Sequence, residues 1–175
     1  MGSRSSIGVL AAALVIVAGC SSGPSAGAVT WTNDVCGALT GFARSAAAQP
    51  KINKDDPAGA VRLLSTYFSS TAAALQDAIT GLDSAGPAPV TGGDDFVGRL
   101  KTTLTSIHSS FTDAGTRLSG VDSSSPEALA AALPAVVAPL QSLSSLADPT
   151  RGLESNDALR AAAEQAPNCK QLRSK

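Results

Sequence analysis

The chain is short of most of the residues that do chemistry. It holds one histidine, which excludes H-E-x-x-H zinc sites and any site built on several imidazoles. Aromatic residues make up 3% of the 175, too few for a base-stacking platform or an aromatic shelf for sugars. Charged residues make up 15%, against about 25% in an ordinary soluble domain. With a formal net charge of −1 and no basic block, the chain lacks the basic stripe that nucleic-acid binding requires. Also missing are a C-x-x-C motif, a G-x-S-x-G elbow and a calcium loop with its closing glutamate. TGGDDF at Thr91 to Phe96 is glycine-rich but has neither the lysine nor the spacing of a phosphate loop.

The longest apolar run, from Ile7 to Ala18, is shorter than the roughly 20 residues that span a bilayer. It follows the basic Arg4 and ends in small residues, the three-part order of an export signal. Val17, Ala18, Gly19 and Cys20 stand at the cut position. This stretch resembles a bacterial lipobox, the recognition element of lipoprotein signal peptides. The resemblance implies cleavage before Cys20 and a diacylglyceryl group on its sulfur, so residues 1–19 are expected to be removed. Two or more acyl chains on one residue make a stable anchor, whereas one chain binds only marginally. Residues 20–30, rich in serine and glycine, read as a flexible tether holding the folded part close to the lipid. A helical bundle domain is then expected over 31–175.

Apolar periodicity supports helices throughout. Trp31, Val35, Leu39, Phe42 and Ala46 share one helical face, and the segment stops before Pro50. Asp56 as N-cap and Pro57 in the first turn open a second helix, whose apolar face carries Val61, Leu64, Phe68, Leu75, Ile79 and Leu82. The cleanest stripe runs from Val97 through Leu100, Leu104, Ile107, Phe111, Ala114 and Leu118 to Val121. Ser125 and Pro126 open a fourth, with Leu129, Leu133, Val136, Leu140 and Leu143; Pro134 and Pro139 inside it predict a kink or break. Asn156 caps a short last helix through Leu159, Ala162 and Ala163, ahead of Pro167. No period-two alternation competes, so strands are not expected. The predicted fold is all-α, an up-down-up-down four-helix bundle with a short extra C-terminal helix. A more irregular packing of five or six helices is the alternative.

With Cys20 lipidated, Cys36 and Cys169 remain, and an even pair in an exported chain reads as one disulfide. In an alternating bundle this bond pins the last segment across the pole where the first helix starts. Together, the lipobox, the serine-glycine tether, the alanine-rich helices and the two distant cysteines resemble small lipoproteins of actinobacteria such as mycobacteria and streptomycetes. That likeness implies a location and no reaction.

His108 lies beside the seam residue Ile107, with no nucleophile and orienting group placed around it by any motif, so it reads as a residue on the flank of a helix. Asp55 with Asp56 and Asp94 with Asp95 precede helices and read as caps; Asp77 and Asp83 form a looser pair. No catalytic residue, metal ligand or cofactor is expected. The expected function is that of a non-enzymatic, lipid-anchored domain on the outer face of the cell membrane, binding a protein or envelope component. A carrier of an apolar ligand between the helices is the alternative, and an enzyme stands third.

Overall fold

The computed structural model describes residues 23–53, 55–125, 127–132, 134, 136, 141 and 156–174, and these are α-helical with no strand among them. Three long helices come first: α1, Ala26–Ala47; α2, Pro57–Ser84; and α3, Gly93–Ser119. Residues 127–132 are helical, and two short helices close the chain: α4, Asp157–Gln165, and α5, Pro167–Arg173.

The first two long helices begin where a side chain accepts from a free amide of the first turn. Ser25 Oγ accepts from the Ala28 amide at 3.1 Å. Asp56 Oδ1 accepts from Gly59 N at 2.8 Å, with Pro57 in the first turn. Before α3 the chain turns through Gly92, whose φ of 81° is left-handed, a conformation that a side chain would strain. A Cβ on the next residue, Gly93, would come within 2.4 Å of the Ala88 methyl. TGGDDF is therefore a tight helix entry, and Asp94 Oδ1 locks it by accepting from Ala88 N at 2.8 Å. Asp94 and Asp95 lie inside the first turn of α3 and not before it, the cap position belonging to Gly92.

Contacts along their length make α1, α2 and α3 successive antiparallel neighbours. Trp31 Nε1 donates to Gly86 O at 3.0 Å, joining the start of α1 to the end of α2. Further along, Ser45 Oγ and Thr71 Oγ1 lie 3.0 Å apart. Lys101 pairs with Asp83 where α3 starts, and Phe68 meets Phe111 edge-on, ring centroids 5.5 Å apart, towards its other end. Tyr67 completes that aromatic cluster, and such pairs add about 0.5–1.5 kcal/mol beyond their buried area. The α3 stripe is buried from Leu100 to Leu118 as its spacing predicts, with Phe96 in place of Val97 at its head and Val121, beyond the end of the helix, only partly covered. On α2 the expected seam is buried at Phe68, Leu75 and Leu82, but Val61, Leu64 and Ile79 are only partly covered.

The disulfide joins Cys36 to Cys169 across a sequence separation of 133, and both residues are completely buried. It fastens α5 to α1. Asn168 reinforces the seam twice, its amide nitrogen donating to Asn33 Oδ1 at 3.0 Å and its Nδ2 to Asn33 O at 3.1 Å. Leu159, Ala162 and Ala163 bury the inner face of α4. Asn156 caps that helix and donates to Thr91 O at 2.7 Å, tying it to the entry of α3. The last segment thus sits at the pole where α1 and α3 begin and α2 ends. Thr32 is buried beside this joint with no partner for Oγ1 among the described residues, a local cost of about 1–3 kcal/mol.

Three expectations change. The tether does not extend to Thr30, because the Ser25 cap and the burial of Ala28 start α1 at Ala26. Cys36 consequently lies about three turns into its helix, and not the one turn in that a start near Trp31 implies. The C-terminal segment forms two helices, since Ala166 breaks the first and Pro167 opens the second. In the fourth predicted helix, Ser125 Oγ accepts from Ala128 N at 3.2 Å as a cap, Pro134 is exposed and Val136 is buried. Pro126, Leu133, Pro139, Leu140 and Leu143 lie outside the described residues, as does Cys20, so the expected kink finds no description here.

Closing so long a loop contributes roughly 5 kcal/mol in the chain-entropy model. A Cys36→Ser, Cys169→Ser double variant is expected to keep its helical circular dichroism at low temperature and to melt well below the parent, with the parent showing no titratable thiol at either position.

Candidate functional site

His108 is half-buried on α3, where its carbonyl accepts from Thr112 Oγ1 at 2.9 Å. The carboxylates are spread out: Asp56 caps α2, Asp94 ties down a loop, Asp83 pairs with Lys101, and Asp77 is exposed. No group of three or more histidine, cysteine, aspartate or glutamate side chains suited to a metal occurs among the described residues. Cys169 Sγ lies 3.4 Å from Thr32 O; a bonded half-cystine has no proton, so this is packing and not a hydrogen bond.

Two concavities are formed by described residues. The first runs between α2 and α3, with a volume of about 570 Å³. Its floor is Phe68 and Phe111, and its walls include Ser65, Ser69, Thr112 and Thr116. Those hydroxyls are partly spent on the helices themselves: Ser69 donates to Thr66 O, Thr112 to His108 O and Thr116 to Thr112 O.

The second lies at the pole opposite the disulfide, where the α1–α2 connection, the first turns of α2, the end of α3 and the 127–136 segment meet. It encloses about 310 Å³, at the small end of the range for ligand pockets. Leu118 and Val136 form its floor, Val61, Leu64 and Leu129 its walls, and Ile52 its lip. Ile52 is 43% exposed. The sequence reading placed Val61, Leu64, Leu118, Leu129 and Val136 in helix seams and left Ile52 out. The available signal was that one isoleucine interrupts the charged run Lys51 to Asp56.

Compared with family models, curated proteins and solved structures, the chain matches none. Its function is therefore read from its own geometry. Among the described residues no helix is long and apolar enough to cross a membrane.

Near the apolar groove the α1–α2 interface carries a small polar relay. Tyr67 Oη donates to Ala46 O at 3.1 Å. Burial raises the Tyr67 pKa above the usual tyrosine value of 10.0, opposed in part by its hydrogen bond with Thr71. Because the folded state holds this proton longer than the unfolded one, the associated stability is present below pH 10 and is lost as pH climbs from there through the folded-state pKa. Tyr67→Phe is expected to lower stability near neutrality by about 0.5–1.5 kcal/mol and to flatten the alkaline side of the stability–pH curve, measured by denaturant unfolding.

Proposed function

We propose that the protein is a lipid-anchored, non-enzymatic helical domain on the extracytoplasmic face of the cell membrane, and that it binds a protein or envelope component there. The main support is the contrast between its two ends. One pole gathers the start of α1, the disulfide and both C-terminal helices, while the other opens into an aliphatic groove with an exposed isoleucine. Cys20 precedes the Ser25 cap by five residues, which reach at most about 18 Å when extended. An acylated Cys20 would hold the disulfide pole against the lipid. The groove then faces away from the anchor by about the 40 Å length of α2.

The finer architecture belongs to the same proposal. The fourth helix of an up-down-up-down bundle would start at the Ser125 cap and run through Val136, with α4 and α5 as the C-terminal addition. A second reading, the carrier of an apolar ligand, draws on the aliphatic lining and volume of the same groove.

Cys20→Ala tests the anchor. In a bacterium that processes lipoproteins, the variant is expected to leave the membrane fraction or to retain its uncleaved signal, read by detergent partitioning and intact mass. A variant that stays membrane-bound with the mass of the processed parent would overturn the proposal.

A further inference from the structure

We infer that the disulfide pole seats directly on the lipid surface, through the uncharged α2–α3 connection and the first turn of α1, so that the domain stands upright on the membrane. This rests on the anchor reading above and deepens it, by naming the surface that meets the bilayer and the posture that follows.

The length of chain between anchor and fold brings the two together. The described chain begins at Gly23 and α1 at Ala26, so Ser21 and Ser22 are all that separate Cys20 from it. Three steps of chain reach about 11 Å at most, against about 40 Å for the length of α2 or α3. A surface held so close to the lipid meets it at high effective concentration. A weak contact is then enough to set the posture.

What the pole presents is free of charge. Residues 23–33 and 84–93 contain no aspartate, glutamate, lysine or arginine. Trp31 Nε1, donating to Gly86 O, joins the two stretches. Asp94 accepting from Ala88 N and Asn156 donating to Thr91 O fix the connection at two further points. Pro87 and Pro89 stand exposed on it. Having no N–H, they can leave water without orphaning a donor. The carboxylates of Asp94, Asp83 and Asp157 are engaged with Ala88 N, Lys101 and Arg160. Asp34, Asp95 and Glu164 are exposed on the flanking helices, as are Arg99, Lys170 and Arg173, so the flanks carry both signs and the contact does not depend on lipid charge. Lying flat costs more, because each long helix bears exposed charges along its side: Arg44 on α1, Arg62 and Asp77 on α2, Asp113 and Arg117 on α3.

The test uses the acylated mature protein in zwitterionic nanodiscs that carry a nitroxide-headgroup lipid, its acylation checked by intact mass. With Cys20 acylated and Cys36 bonded to Cys169, each of Thr91→Cys, Gly41→Cys, Ala73→Cys and Ser106→Cys, all at exposed positions, offers one thiol to a fluorophore. The label at position 91, on the connection, is expected to be quenched about threefold or more strongly than the labels on α1, α2 and α3. In discs of phosphatidylglycerol, Pro87→Asp with Pro89→Asp should reduce the quenching at position 91, and Pro87→Lys with Pro89→Lys should increase it. Both effects should fade as salt rises. If the proline variants do not fold, by circular dichroism, the comparison of label positions decides. Quenching at position 91 no stronger than on a long helix, or quenching indifferent to the substituted charges in folded variants, would overturn the inference and leave the anchor standing. An unacylated protein would overturn both, and the intact mass tells the two cases apart.

Discussion

The covalent bond between Cys36 and Cys169 is the constraint on which the rest of the arrangement depends. It joins residues separated by 133 positions, and the segment it holds, α5, has seven residues with Cys169 as its buried one. So short a helix has too little apolar surface to dock by itself. Once α5 is fastened, Asn168 meets Asn33, and Arg173 Nη2 donates to the Ala163 carbonyl at 2.9 Å. Leu159 and Ala163 then cover α1 from outside. Both ends of the folded chain are thereby brought to one pole.

That asymmetry separates the tasks of the two poles. The disulfide pole is crowded: Trp31 reaches across to Gly86, Gly93 admits no side chain beside Ala88, and Asn156 bridges to Thr91. The far pole is built from chain connections and helix ends, and Ile52, Val61 and Leu64 there are only partly covered. There Ile52 stays exposed over a floor of Leu118 and Val136. The wide groove between α2 and α3 has a different character, because its serine and threonine hydroxyls are turned back onto helix carbonyls.

The parts of the fold legible in the sequence are those with a long period. Leu100, Leu104, Ile107, Phe111, Ala114 and Leu118 sit on one face by spacing alone, and the structure buries all of them. Asp56 with Pro57, Ser125 and Asn156 were readable as caps because their side chains act locally. The start of α1 was not, since glycine, proline and serine have the composition of a linker and it is the tertiary burial of Ala28 that extends the helix. Nor was α5, too short to show a period. The groove was hidden for a related reason: periodicity tells which face of a helix is apolar, not whether a neighbour covers it. Val61 and Leu64 belong to the same stripe as Phe68, yet only Phe68 is fully enclosed.

The central claim is that an acylated Cys20 holds the disulfide pole at the membrane and leaves the groove facing outward. Its most direct test is mass spectrometry of the N-terminal tryptic fragment, from reduced protein extracted from the membranes of a lipoprotein-processing bacterium. The account predicts a fragment that begins at Cys20, ends at Arg44 and carries the mass of a diacylglyceryl group on its first residue. A fragment that begins elsewhere, or that begins at Cys20 with an unmodified sulfur, would contradict it.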